Sequence, residues 1–425
     1  MQAIPKAVPK DFDTSCVTAS ADGVCFSLLQ AEEARAYFSY HGFVVVRDVT
    51  SEEENARAMA ALLHDIHEVN PAVSAVTDLS QFAEHDLPTS PNNAFRATCN
   101  MAFGRFASAV RLAPGIRKAF ATIHQTDALA CSWDIPFYTP QPDRVPSGKA
   151  LQLHWDHNWY YGGTQAPLAD ALCAQGVYYA TATDPSTPSF VCVPRSHTVW
   201  RTFCESDLNP AKRGAPILSY LPLTHFDEQF LCDSGLGAPV RVHVPARSLL
   251  LWDSRTCHGN SPPCEPAGSA FGRVAFAVCY GPVAERSIET HKRALIKGFA
   301  GIHTTHHPGF MLAHDKHGYP EGFVSIDEPN KKLRKIKVPL HPHVQEPQFQ
   351  EMIARAALTP DEKRTMAATT SLQTLQQRAY NSYNRLEGLT EEDCYSKLLQ
   401  FEVRDLRALL HPDFAEAQAI HSAEL

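Results

Sequence analysis

The stretch from about residue 127 to 283 constrains the fold most, because short apolar runs there alternate with turn-forming Pro, Gly, Asp and Ser residues. The runs are Ala128–Ile135, Ala150–Leu153, Leu172–Ala180, Phe190–Val193, Val240–Val244, Ser248–Trp252 and Arg273–Tyr280. Many short strands separated by turns are typical of a β-sandwich or a β-barrel. The centre of the chain therefore predicts a β-rich core and not an alternating array of strands and helices.

Helical patterns precede this centre. Apolar residues recur at helical spacing over residues 28–40, Gly42 ends the pattern, and Phe43–Val46 is typical of a buried strand. Ser51 and Glu54 have the spacing of a capping box, in which each residue satisfies a backbone N–H of the other. A second helix is therefore expected to begin there.

Further helices are expected on both sides of the β-rich centre. The second helix runs to about Val69, and residues 95–125 are mostly helical in pattern. Thr359–Glu362 and Thr390–Asp393 both look like helix starts, with acidic residues in the first turn, where the helix dipole favours them. Residues 346–410 therefore predict two or three helices packed as a C-terminal appendage, and the whole chain predicts the α+β class.

The length of 425 residues suffices for one large domain with an appendage. The division that this predicts is an N-terminal segment (1–27), a main domain (28–340, with the β core at about 127–283) and a helical extension (341–425). The hydrophobic content of 44% is ordinary for a globular protein, and no apolar run approaches the ~18 residues that cross a bilayer. The net charge of −8 argues against nucleic acid as the main partner.

Other common sites are absent from the sequence. No two of the twelve cysteines have the Cys-x-x-Cys spacing, which argues against a zinc ribbon or a dithiol redox pair. No Gly-x-Gly-x-x-Gly or Walker-type loop supports a nucleotide site. The first residues lack a basic segment followed by an apolar stretch, so we expect a cytoplasmic protein, with an organelle left open.

The residues that carry chemistry begin with His154 and Asp156. On a strand, residues two apart face the same side, so this pair offers two of the three ligands of a 2-His-1-carboxylate triad, which suits non-heme Fe(II). The third ligand must be a histidine on another strand, and His258, at the rim of a turn after an apolar strand, is the best candidate. Arg273 opens the next strand and could hold a carboxylate by two parallel hydrogen bonds.

This ordered set resembles the phytanoyl-CoA dioxygenase family of Fe(II)/2-oxoglutarate oxygenases. The matching pieces are His-x-Asp, a distant Trp-Asp-Ser-x-x-x-His-Gly-Asn, and an arginine on the following strand. Ala36–Val46 is similar to the family's N-terminal helix and strand, and Val193–His197 is similar to its Pro-Gly-Ser-His segment, with Arg195 in place of the glycine. The resemblance covers about residues 28–285, whereas the long Pro-rich loop Ser261–Ser269 and the C-terminal extension depart from the family pattern.

The resemblance implies a double-stranded β-helix, a cupin-like jelly roll, flanked by helices. It implies that His154, Asp156 and His258 bind iron at the catalytic centre, and that Arg273 binds the distal carboxylate of 2-oxoglutarate. The implied reaction consumes 2-oxoglutarate and O2 and releases succinate and CO2. It oxidises a C–H bond of a small-molecule substrate, by hydroxylation, desaturation or oxidative cyclisation, with ascorbate as a supporting reductant.

Several polar residues are candidates for further contacts. Gln152 shares a strand face with His154, and Thr256 precedes His258 by two, so both are candidates for binding the co-substrate. Arg195, Arg255, Lys149 and the segment 291–306 are candidates for binding a carboxylate or phosphate of the substrate, and spacing alone does not choose among them.

Other functions stay open at this point. A cupin-like isomerase or lyase would use the same triad with another divalent metal and no 2-oxoglutarate. The basic run Lys331–Lys337 leaves a nucleic-acid base oxygenase as a further alternative, although a solvated edge is favoured. A binding protein without catalysis would keep the same ligand set. The spacing of His303, His306 and His307 can bind zinc, but no acidic or cysteine partner is adjacent.

Overall fold

The computed structural model describes residues 18–19, 24–82, 86, 98–134, 136–139, 151–156, 172–209, 221–223, 225–236, 238–261, 263, 273–285, 298, 323–327, 332–335 and 342–357. The helices are α1 (Ala31–His41), α2 (Glu52–Val69), α3 (Arg105–Leu112), α4 (Pro114–His124), α5 (Trp200–Glu205), α6 (His225–Asp233) and α7 (Pro347–Ala357). The strands are β1 (Thr18–Ala19), β2 (Cys25–Ser27), β3 (Phe43–Arg47), β4 (Leu129–Cys131), β5 (Pro136–Thr139), β6 (Leu151–Trp155), β7 (Ala174–Tyr179), β8 (Ser189–Cys192), β9 (Leu221–Pro222), β10 (Val240–Val242), β11 (Ser248–Asp253), β12 (His258–Ser261), β13 (Arg273–Ala277), β14 (Tyr280–Pro282), β15 (Phe323–Asp327) and β16 (Lys332–Lys335).

The N-terminal helices confirm the sequence signals for their ends. Gly42 ends α1 in the left-handed conformation, with a φ of 83°. A Cβ at this position would overlap Thr256 Oγ1 and His197 Nδ1, so the turn needs glycine on two counts. At the start of α2, the Glu54 N–H donates to Ser51 Oγ (3.1 Å) and the Ser51 N–H donates to Glu54 Oε2 (2.7 Å), which completes the capping box.

Two six-stranded sheets form the centre of the molecule. The first sheet has the order β1-β10-β8-β12-β6-β9 and the second has the order β2-β3-β11-β7-β13-β5. All neighbours pair antiparallel except β1 with β10 and β2 with β3. Between β5 and β8, and again between β10 and β13, each next strand lies in the other sheet. The expectation of an α+β chain with a β-rich centre is confirmed.

Successive side chains along a strand face opposite sides of the sheet, and the apolar ones form three separate cores. On β11, Leu250 and Trp252 face the space between the sheets, whereas Leu249 and Leu251 pack against the helical layer on the outer face of the second sheet. Because both faces of β11 are buried, its sequence is a continuous apolar run. A third core lies on the outer face of the first sheet, where Trp155 packs against Phe203 of α5.

The centre of the chain departs from the sequence-based expectations in two respects. Helices α5 and α6 interrupt the predicted succession of strands, and they cover the outer face of the first sheet. His258 directly follows the turn after β11, as expected, but it is also the first residue of strand β12, which the apolar runs did not predict. Gly259, Asn260 and Ser261 have low strand propensity, but β12 lies between β8 and β6, and pairing on both sides overrides that propensity.

The first helix after residue 340 packs into the main core. Phe349, Met352, Ile353 and Ala356 of α7 are buried in the same apolar cluster as α2, α3 and α4. The helix starts expected at 359 and 390 lie outside the described residues, as do Lys149, His303, His306 and His307. The domain boundaries at 27 and 340 therefore stay predictions.

Two remaining features bear on possible partners. Part of the basic run forms β16, which pairs with β15 as a separate two-stranded sheet. Among the residues that the structure describes, no helix has both the length and the hydropathy that crossing a membrane requires. The cytoplasmic location stays a prediction.

Candidate metal centre

Two neighbouring strands of the first sheet bring the expected ligands together. β6 pairs antiparallel with β12, and His154 lies directly opposite His258. Asp156 follows immediately after the end of β6. The side chains of the three residues are buried, with exposures of 8% for His154, 6% for Asp156 and 5% for His258. The pairing shifts register between His258 and Asn260, an irregularity of the kind often found beside functional sites.

The donor atoms converge on one point. His154 Nε2 lies 3.2 Å from Asp156 Oδ1, and His258 Nε2 lies 3.4 Å from Asp156 Oδ2. One donor atom from each of the three side chains lies within 4.8 Å of the others. Metal–ligand bonds of about 2.1 Å at right angles put neighbouring donors about 3 Å apart, so the set fits a single divalent ion. Two imidazoles and one carboxylate are the donors of the facial triad that suits non-heme Fe(II).

The hydrogen bonding of His258 sets the tautomer that a metal ligand needs. Its Nδ1 lies 2.9 Å from the backbone carbonyl oxygen of Thr256, which can only accept, so Nδ1 carries the proton and the lone pair of Nε2 points toward Asp156. Burial lowers the pKa of His258, and the nearby His154 lowers this pKa further, against the opposing effect of Asp156. The imidazole is therefore held neutral, as metal binding requires.

A glutamine from the opposite sheet contacts Asp156. The Gln175 amide donates from Nε2 to Asp156 Oδ2 at 2.9 Å, and Gln175 is fully buried on β7. Sequence patterns alone did not point to Gln175. The available signal was one polar side chain in the apolar run Leu172–Ala180, two residues before Val177 and therefore on the face toward the other sheet.

Aromatic side chains line the flank of the triad at His258. The Phe190 ring stacks on His258 with centroids 5.6 Å apart, and the Trp252 ring lies 5.1 Å from His258 at a tilt. Phe190 and Trp252 are themselves 5.1 Å apart. These rings exclude water from one side of the donor set and lower the local dielectric, which strengthens electrostatic interactions there.

Arg273 crosses the space between the sheets toward the strand that carries His258. It lies on β13, on the same face as Ala275 and Ala277, which belong to the core between the sheets. Its side chain is only 3% exposed. Its Nη1 donates to Asn260 Oδ1 at 3.1 Å, and Asn260 follows His258 by two residues, about 7 Å along the strand.

The charge of Arg273 has no counterion in the part of the chain that the structure describes. Its polar contacts there are Asn260 and the hydroxyl of Tyr179, and the ring of Phe137 lies 5.7 Å from the guanidinium carbon. Burial lowers the pKa of Arg273, against the opposing effect of Tyr179. A buried cation in this position favours an anionic ligand, because burying an unpaired charge is costly.

The structure describes one of the two residues considered for binding the co-substrate more fully than the other. Thr256 lies in the turn before β12, and its hydroxyl donates to the Gly42 carbonyl oxygen at 2.9 Å. Gln152 lies on β6, but its side chain lies outside the described residues. The roles of both in co-substrate binding stay predictions.

The two arginines considered for substrate recognition differ in their surroundings. Arg255 donates to both carboxylate oxygens of Asp253, at 2.9 and 2.6 Å. Burial alone raises the pKa of Asp253, but Arg255 holds this pKa below its ordinary value, and the ion pair stabilises the turn before His258. Arg195 is exposed, and its guanidinium carbon lies 5.2 Å from the Tyr40 ring centroid. Its φ of 68° explains why glycine suits this position in the Pro-Gly-Ser-His segment.

Comparisons with known proteins give similarity at the level of three-dimensional structure only. No protein-family model matches the chain, and no curated protein matches it. Similar solved structures include SnoK, a non-heme alpha ketoglutarate dependent carbocyclase from nogalamycin biosynthesis, at 14% identity over 62% of this chain and 86% of SnoK, with a TM-score of 0.39. The epimerase SnoN, in complex with Fe3+, alpha ketoglutarate and nogalamycin RO, is 12% identical over 59% of this chain and 83% of SnoN, with a TM-score of 0.40. HygX from Streptomyces hygroscopicus, with nickel and 2-oxoglutarate bound, is 17% identical over 59% of this chain and 86% of HygX, with a TM-score of 0.37. Similarity at this level identifies neither a family nor an activity for this chain.

Proposed function

We propose that the protein is an Fe(II)- and 2-oxoglutarate-dependent oxygenase that oxidises a C–H bond of a small-molecule substrate. The observation that carries this proposal is the buried donor set of His154, Asp156 and His258, with the guanidinium of Arg273 buried beside the strand of His258. The triad alone is less specific, since it also suits other metal enzymes. The buried arginine alone is less specific, since it can have a structural role.

His154 Nε2, His258 Nε2 and one carboxylate oxygen of Asp156 would hold the ion. When bound, ferrous iron supplies the redox chemistry that couples decarboxylation of 2-oxoglutarate by O2 to oxidation of the substrate. The Thr256 backbone carbonyl oxygen orients His258 and keeps the proton on Nδ1, so that Nε2 can bind the ion. Phe190 and Trp252 exclude water from the flank of the site.

Arg273 would bind the distal carboxylate of 2-oxoglutarate. Asn260, which accepts from Arg273, follows the ligand His258 by two residues, and a five-carbon dicarboxylate can span this separation. A guanidinium can donate two parallel hydrogen bonds to a carboxylate, which fixes its direction as well as its distance. The amide of Asn260 limits the rotation of the guanidinium before the co-substrate arrives.

The strand order supports a double-stranded β-helix as the scaffold. Strands β5 to β8 and β10 to β13 would be its eight strands, in the orders β10-β8-β12-β6 and β11-β7-β13-β5. In this topology β6, β12 and β13 bring the metal ligands and the arginine to one cavity between the sheets. A relationship to the phytanoyl-CoA dioxygenase family, on the motifs given above, is part of the same proposal.

Succinate formation tests the proposal. Purified protein incubated with Fe(II), ascorbate, O2 and 2-oxoglutarate is expected to form succinate, faster with a true substrate. His154→Ala and Asp156→Ala are expected to abolish this iron-dependent formation. His124→Ala, which removes a half-buried histidine of α4, is the matched control and is expected to retain it.

The outcomes separate the competing functions. Absence of metal binding at the triad in the wild type would overturn the proposal. Tight metal binding without 2-oxoglutarate binding or succinate formation would also overturn it, and would favour a cupin-like isomerase or lyase. Mass spectrometry of candidate metabolites, with a gain of one oxygen or a loss of two hydrogens, would then identify the substrate and the reaction.

A further inference from the structure

We infer that Gln175 is a positioning residue that fixes the Asp156 carboxylate for metal binding. This inference rests on the proposed function and concerns the same site. Its basis is the contact of 2.9 Å between Gln175 Nε2 and Asp156 Oδ2, which joins the two sheets across the cavity.

Asp156 lies just beyond the paired part of its strand. It lies in a bend one residue beyond the end of β6, and the backbone pairings of β6 with β12 and β9 involve residues up to Trp155. His154 and His258, in contrast, lie on paired strands directly opposite each other. The carboxylate is therefore oriented beyond the paired strand, where a side-chain contact can fix it.

The negative charge of Asp156 determines which atom of the Gln175 amide faces it. An ionised carboxylate accepts hydrogen bonds only, so the amide nitrogen of Gln175 must face it. The bond goes to Oδ2, which lies 3.4 Å from His258 Nε2, whereas Oδ1 lies 3.2 Å from His154 Nε2, so the contact holds one carboxylate oxygen toward each histidine. Such outer contacts orient a ligand before the metal arrives, so that less conformational freedom is lost on binding.

The position of Gln175 is itself rigid. The next residue, Gly176, faces the helical layer, where a Cβ would come within 2.8 Å of Phe120 Cζ and 2.9 Å of the Val278 carbonyl oxygen. This close packing of α4 on β7 holds the backbone of Gln175 in place. An amide buried in an apolar run is costly unless it is hydrogen-bonded, and its contact with Asp156 offsets that cost.

Metal affinity measured without turnover tests the inference. Metal-free protein is titrated with Co(II) by calorimetry, and the visible absorption of the bound Co(II) is recorded. Gln175→Met keeps the volume of the side chain but cannot donate, and we expect it to weaken Co(II) binding by about 10- to 100-fold and to change the spectrum. Gln175→Leu, a second apolar replacement, is expected to give the same result.

The matched control is Tyr178→Phe on the same strand. It removes a buried hydrogen bond of 2.8 Å to Thr50 on the opposite face of the second sheet, without contact to Asp156. We expect wild-type Co(II) affinity and spectrum for this variant. If the Gln175 variants also retain both, the inference is wrong and Gln175 has only a structural role. If the wild-type protein fails to bind Co(II) through the triad, the proposed function fails instead.

Discussion

Replacing Arg273 by methionine tests the co-substrate site, because it removes the guanidinium and keeps most of the aliphatic side chain. The buried guanidinium contacts Asn260 and Tyr179 and has no acidic partner among the described residues, so its full charge is available to a ligand. Two charge-assisted hydrogen bonds at about 1.5 kcal/mol each give a loss of about 3 kcal/mol. We therefore expect Arg273→Met to weaken 2-oxoglutarate binding roughly 150-fold.

Although Arg273→Met should weaken 2-oxoglutarate binding, it should leave the stability of the ligand-free protein unchanged or raise it. A buried cation without a counterion costs desolvation energy, and an apolar replacement of similar volume removes that cost. We expect the free energy of unfolding of the ligand-free variant to equal or exceed that of the wild type. If Arg273 were half of a structural ion pair, its removal would instead cost about 3–5 kcal/mol.

The assay combines calorimetric titration of 2-oxoglutarate into Ni(II)-loaded protein with urea unfolding of the ligand-free protein. Arg241→Met is the matched control, because Arg241 is equally buried but donates to the Thr187 carbonyl oxygen (2.6 Å) and to the Ser261 hydroxyl. This control should keep its affinity for 2-oxoglutarate. Wild-type affinity for 2-oxoglutarate in Arg273→Met would refute the reasoning.

Three other predictions concern the surroundings of the site and the core. Burial lowers the pKa of His124 to about 4, so as the pH falls below about 6.5 this histidine takes up a proton in the unfolded chain before it does so in the folded protein. Between pH 7 and 5, the free energy of unfolding should therefore drop by about 2 kcal/mol more in the wild type than in His124→Gln. Equal pH dependence of the two proteins in urea unfolding would contradict this. Phe349→Ala should lower the free energy of unfolding by about 3–5 kcal/mol, because this ring of α7 packs edge-on against Phe103 in the main core. The variant should still unfold in one cooperative thermal transition. A separate transition at lower temperature would show instead that α7 unfolds independently. Asn260→Ala removes the amide that accepts a hydrogen bond from Arg273 and orients it, so the KM for 2-oxoglutarate should rise up to about tenfold. The affinity for Co(II) should stay unchanged. A loss of Co(II) affinity would assign Asn260 to the metal site.

The convergence of the candidate ligands could be predicted from the sequence because its signals are local. The i, i+2 spacing of an extended segment predicts that His154 and Asp156 lie on one side, and they remain close although Asp156 lies one residue beyond the end of β6. The capping box of Ser51 and the glycine end of α1 are equally local, and both were found. His258 was found through its order along the chain after an apolar strand.

The surroundings of the ligands could not be predicted, because they depend on which strands meet. Gln175 contacts Asp156 only because β7 and β6 lie in facing sheets, and no spacing within the sequence reports this. The strand at His258 was missed because Gly259, Asn260 and Ser261 do not favour strands, and the pairing with β6 and β8 that holds them comes from distant residues. The pairing of Arg255 with Asp253 is local, but spacing alone did not distinguish it from a free substrate contact.

Anomalous diffraction from a crystal grown without oxygen in the presence of Fe(II) and 2-oxoglutarate would test the central claim most directly. We expect one iron peak bound by His154 Nε2, His258 Nε2 and the Asp156 carboxylate, with the distal carboxylate of 2-oxoglutarate on Arg273. An iron peak elsewhere, or a 2-oxoglutarate that binds away from Arg273, would contradict the account.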